Sequence, residues 1–91
     1  MTNEAIAKFV ENGHLIKSNI KIDFKQRSSL IGMFLKANDY EELKSKNFWR
    51  IVTDPKNIEA WKKSKDMNLA RLFNGMEITK LSEVKEKALA K

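Results

Sequence analysis

Along most of this chain, apolar side chains recur at three- and four-residue spacing, the signature of helices that each bury one face. Ile6, Phe9 and Val10 share a face behind Thr2 or Asn3, either of which can cap a helix, and Gly13 stands where a left-handed cap would end it. Between Ile16 and Phe24 the period changes to two, with Ile16, Ile20, Ile22 and Phe24 at even positions. That stretch reads either as a short strand or as an irregular loop pinned to the core by Ile20, Ile22 and Phe24. From Ser28 or Ser29 onward, Leu30, Met33, Phe34 and Ala37 line one helical face with Ile31 and Leu35 beside it. So wide an apolar arc predicts a central helix packed on more than one side, with Gly32 admitting the close approach of another element.

Asp39, with Glu42 three residues on, predicts a capping box that opens a helix running through Leu43, Asn47, Phe48 and Ile51. Phe48 to Val52 is also rich in strand formers, so this helix can give way to extended chain. Asp54-Pro55 is the sharpest boundary, an acidic cap followed by proline at the first helical position. The helix that follows turns Ile58 and Trp61 inward and pairs Glu59 with Lys63. Asp66 or Asn68 can cap a further short helix carrying Leu69, Leu72, Phe73 and Met76, stopped or kinked by Gly75. Thr79 or Ser82 would begin the last helix, with Leu81, Val84 and Ala88 as a narrow stripe. The sum is one domain over residues 1–91, mostly α: a compact bundle of about five short helices, with residues 18–24 as the candidate extended segment.

Composition narrows the function more than it narrows the fold. The chain has 91 residues and no cysteine, which removes disulfide scaffolds, cysteine zinc sites, iron–sulfur clusters and thiol nucleophiles. Its longest apolar run, Leu30 to Leu35, is far short of the roughly 20 residues a membrane span needs. The N-terminal stretch, with Glu4 and Glu11 and no long apolar run, does not read as a signal sequence. A cytoplasmic protein is the expectation. His14 is the only histidine, and its place at a helix end suits a favourable contact with the helix dipole better than catalysis. The carboxylates Asp39, Glu41 and Glu42 are explained by the same dipole at a helix start. No phosphate-binding loop, dinucleotide fingerprint, nucleophile elbow or calcium loop occurs, so neither a metal nor a cofactor is expected and an enzyme is not.

The formal net charge of +6 points to an anionic partner, although each third of the chain contributes equally and no basic arm stands out. Fifteen of the 18 bases are lysine, alongside eight Asn and eight Ile, a bias that AT-rich coding also produces. The densest stretch is Lys44 to Lys65. There Lys44, Lys46, Arg50, Lys56, Lys62, Lys63 and Lys65 face only Asp54 and Glu59, interleaved with Phe48, Trp49 and Trp61. Such a face could neutralise nucleic-acid phosphates, and on helical spacing Trp49 falls opposite Tyr40 and Leu43, near the surface, where it could stack on a base. The same residues also read as core anchors flanked by a solvated lysine face. A helix-turn-helix over residues 28–37 and 40–52 is disfavoured, because Glu41 and Glu42 would open the recognition helix against the phosphates.

Two functions follow from different classes. The first is a non-catalytic module that binds nucleic acid through Lys44, Lys46, Trp49, Arg50, Lys56, Lys62, Lys63 and Lys65. The second is a regulator or inhibitor of a larger acidic protein partner, docking through Trp49, Met76, Ile78 and the Leu81, Val84 and Ala88 stripe of an amphipathic C-terminal helix, with self-association also open to it.

Overall fold

A computed structural model describes residues 1–13, 15–16 and 18–84 of the chain. Its centre is a five-stranded antiparallel sheet, and the expectation of a mostly helical bundle is overturned. In chain order the elements are helix α1 (Asn3–Ala7), strands β1 (Asn19–Phe24) and β2 (Leu30–Phe34), helix α2 (Tyr40–Ser45), strand β3 (Phe48–Thr53), helix α3 (Pro55–Ser64), and strands β4 (Ala70–Asn74) and β5 (Ile78–Glu83). The fold is α+β, and the strand order across the sheet is β4-β3-β2-β1-β5.

Thr2, Asp54 and Asp66 cap as the sequence leads one to expect. Thr2 Oγ1 accepts the Ala5 amide at 3.1 Å and opens α1, which continues through a π-helical turn over Lys8–Asn12 and buries Ile6 and Val10. Gly13 ends that turn with φ −83°, so the expected left-handed cap is not formed. Asp54 caps α3 by accepting the Lys56 amide at 3.1 Å, with Pro55 in the first turn. Lys65 closes α3 in the left-handed conformation, its amide bonded to the Trp61 carbonyl at 2.7 Å. Asp66 Oδ1 accepts the Asn68 amide and caps a single 3-10 turn over Met67–Leu69. Asp39 precedes α2 without capping it through its side chain; the carboxylate pairs with Arg50 instead.

The period-two segment forms β1, with Ile20, Ile22 and Phe24 on its buried side. The segment expected as a central helix is β2, and the second half of the helix expected after Asp39 is β3. Both lie in the middle of the sheet and are covered on both faces. Phe34, Trp49 and Ile51 join Ile6, Val10, Ile20, Ile22, Ile78 and Leu81 in an inner core under α1. Met33, Leu35 and Val52 face the other way, onto Ile58 and Trp61 of α3, as a smaller outer core. Gly32 does admit a close approach, as a strand residue: a Cβ there would lie 2.8 Å from both Ile22 Cδ1 and Ile51 Cγ2.

The sheet is strongly curled. Phe24 on β1 and Phe73 on β4 have two strands between them in sheet order, which would separate them by about 14 Å in a flat sheet. Their ring centroids are 5.7 Å apart. One 3-10 turn, Gly75–Glu77, is all that links β4 to β5, carrying the chain from one edge of the sheet to the other. The Lys25 amide bonds the Glu77 carbonyl at 2.9 Å and ties the β1–β2 turn to that link. The short helix expected around Leu72 is therefore β4, and the helix expected from Thr79 or Ser82 is β5 over its described part. Ala88 and His14 lie outside the described residues.

Candidate nucleic-acid interface

The fold divides the basic window into engaged and free groups. Lys44, on α2, reaches Glu11 Oε2 at 3.1 Å and Glu41 Oε1 at 3.4 Å. Glu11 also accepts the hydroxyl of Tyr40, which is buried against the inner core. These contacts hold the Glu11 carboxyl below its ordinary value, chiefly through the Tyr40 hydrogen bond, and raise Lys44 through its hydrogen bond to Glu11. Tyr40 is pushed upward by burial and then by Glu11. Lys46 pairs with Glu42 at 3.5 Å, and Arg50 Nη2 with Asp39 Oδ2. Lys44, Lys46 and Arg50 therefore serve the fold's own ion pairs.

Trp49 is not at the surface. It is 2% exposed, donates its indole N–H to Asn47 Oδ1 at 2.8 Å, and meets the Phe34 and Tyr40 rings edge-on. The surface placement assumed helical geometry. Strand alternation instead puts Trp49 on the same inward face as Ile51, so no base can stack on it.

The lysines of α3 stand differently. Ile58 and Trp61 bury one side of this ten-residue helix; Lys56 and Lys63 lie on the opposite side, Lys62 on its flank and Lys65 at its end, all exposed. Lys63 pairs loosely with Glu59 at 3.7 Å, the contact expected from their spacing. Lys65 Nζ lies 4.3 Å from the centroid of the Trp61 ring. Lys56, Lys62 and Lys65 have no carboxylate within ion-pair distance among the described residues.

The alternative protein-docking set does not form one surface. Ile78 and Leu81 are inner-core residues like Trp49, Val84 is half-buried at the end of β5, and of the described members only Met76 is exposed. Phe48 and Leu72 are the exposed apolar side chains of β3 and β4.

A second basic feature escaped the sequence reading. Phe24, Arg27, Arg71, Phe73, Asn74 and Glu77 line a cleft of about 230 Å³ at the end of the sheet where its edges converge. The Arg27 guanidinium lies 5.3 Å from the Phe24 centroid and 6.0 Å from that of Phe73. Arg71 and Phe73 alternate on β4 and so share its cleft face, opposite β3 residues Ile51 and Trp49. Neither arginine has an ion-pair partner among the described residues. The available signal was Arg-x-Phe at strand spacing, and it is invisible when residues 69–76 are read as a helix. The neighbouring Ala70 packs against the outer core beneath α3, so β4 touches both basic features.

Among the described residues no group of three or more His, Asp or Glu could hold a metal ion, and no helix is long and apolar enough to cross a membrane. No family model, curated protein or solved structure matches the chain.

Proposed function

We propose that this chain is a small, non-catalytic, cytoplasmic binding module that contacts nucleic-acid phosphates through a basic face. The observation that carries the reading is α3: Lys56 and Lys62 stand exposed without an ion pair on a helix anchored by Ile58 and Trp61, and Lys65 at its end, its ammonium over the Trp61 ring, has no carboxylate partner among the described residues. A helix fixed by its own core presents its charges without having to order on binding, so the favourable counterion release is not offset by folding entropy. Lys44, Lys46 and Arg50 drop out of this interface, and with them Trp49, which is buried.

Anisotropy of labelled duplex DNA at 50 and 200 mM salt tests the reading. If the three lysines neutralise about three phosphates, affinity falls roughly 40-fold between those salts. Reversal of all three charges, Lys56→Glu, Lys62→Glu and Lys65→Glu, removes most of the binding at 50 mM. Absence of binding by the unaltered chain at 50 mM, to duplex and single strand alike, overturns the assignment.

One observation favours a second class. Leu72 and Met76 are more than half exposed on and just after the edge strand β4, a surface that suits a protein partner adding a strand there. A complex of that kind survives the salt that dissolves a phosphate-driven one.

A further inference from the structure

We propose that the cleft at the converging sheet edges binds one nucleotide of a single strand, with its base stacked on the Arg27 guanidinium and its phosphate on Arg71. The inference rests on the nucleic-acid reading above and assigns it a second contact and a strand type. The Arg27 guanidinium is held against the Phe24 and Phe73 rings, yet Arg27 remains exposed and within reach of a ligand. Nucleobases stack on arginine planes as they do on aromatic rings, and only an unpaired base exposes its face. Arg71 lines the same cleft and makes no ion pair among the described residues. Glu77 is the one acid in the lining and repels a phosphate, but it can accept from a base N–H such as the imino group of thymine. Base edge towards Glu77 and Asn74, phosphate towards Arg71, is the arrangement the charges allow.

Size points the same way. The cleft measures about 230 Å³ and is open to solvent. Clefts that enclose a whole small-molecule ligand run to about 300–1,000 Å³. One unit of a longer strand fits, with the rest of the strand outside.

The test compares labelled oligodeoxythymidine, a hairpin duplex and free thymidine monophosphate, titrated into the unaltered chain and the exposed-site variants Arg27→Gln and Arg71→Gln, whose folding is checked by circular dichroism. Arg27→Gln is expected to weaken oligodeoxythymidine binding by at least about fivefold, the low end for losing one stacked base, and Arg71→Gln to weaken it while lowering its salt slope by about 0.7; duplex affinity changes less than twofold in both. The α3 charge reversals weaken both. Unchanged single-strand affinity in Arg27→Gln and Arg71→Gln, with the α3 effect intact, overturns the cleft and leaves the nucleic-acid reading standing. Equal losses for duplex and single strand overturn the stacked base. Thymidine monophosphate binding more tightly than the oligonucleotide overturns the strand as the source of the nucleotide.

Discussion

Asn47 occupies the space that a side chain on Gly75 would need: a Cβ there would lie 2.0 Å from Asn47 Oδ1 and 2.7 Å from Ile6 Cδ1. Asn47 cannot easily yield. Its Oδ1 accepts the Trp49 indole, its Nδ2 donates to the Met1 carbonyl at 3.0 Å, and its own carbonyl accepts the Gly75 amide at 2.8 Å. It holds these contacts at φ 62°, a conformation asparagine tolerates better than most residues. Gly75→Ala should therefore cost about 1–3 kcal/mol through overpacking, read as a lower urea midpoint at unchanged slope. A loss under about 0.5 kcal/mol, the range of ordinary surface changes, would show that Asn47 gives way.

The burial of Trp49 has a spectroscopic consequence. With Trp61→Phe in place Trp49 is the sole indole, and its emission should resist a collisional quencher and stay unmoved when oligonucleotide is added. Trp49→Ala should remove about 3–5 kcal/mol of stability. Strong quenching on nucleic-acid addition would put the ring at an interface after all.

Basic residues of the window should separate by role. Lys62→Gln is expected to alter stability by less than about 0.5 kcal/mol while reducing the salt slope of duplex binding by about 0.9. Arg50→Gln should do the reverse. It leaves Asp39 without its partner at a partly buried site, costs on the order of 1 kcal/mol, and does not change the slope. Equal effects on binding would return Arg50 to the interface.

Thermal stability should fall at both ends of the pH scale through Tyr40, Glu11 and Lys44. Glu11 is held below its ordinary value, so its contribution is complete above the usual carboxylate range of about 4.3 and is lost as pH falls through the lowered value. Tyr40 and Lys44 are raised, so theirs is complete below about pH 10 and is lost as pH rises towards the raised values. Melting curves of the unaltered chain and Glu11→Gln should differ most near neutrality and converge at both extremes. Parallel curves across the whole range would remove this cluster from the account.

The caps at Thr2, Asp54 and Asp66 and the alternating strand were legible in the sequence, the caps expected of Gly13 and Asp39 do not form, and the reasons the rest was not legible are local. Leu30 to Leu35 is apolar throughout because β2 is covered on both faces, Phe34 towards the inner core and Met33 towards α3. A strand buried on both sides has no period of two, and its apolar run mimics a wide helical face. In β5, Ile78 and Leu81 are three residues apart yet both point inward, because the pairing with β1 shifts register between Asp23 and Phe24. Phe24 faces Ile78, Asp23 faces Lys80, and the extra residue, Thr79, turns a strand's spacing into a helix's. The cleft was hidden for a different reason. Arg27 lies in the β1–β2 turn and Arg71 on β4, and only the curl of the sheet brings them together.

The pairing of β1 with β5 also governs how the molecule assembles. Ile22 meets Leu81 only after nearly all the described chain between them has been built, whereas β1 with β2 and β3 with β4 are sequence neighbours. Such high contact order places the closing step late and makes it slow. Until β5 arrives, the open side of β1 is a bare edge that a second unfinished chain can occupy, so yield on refolding should fall as protein concentration rises, and Lys21 and Asp23 on β1 are the charges that defend that edge.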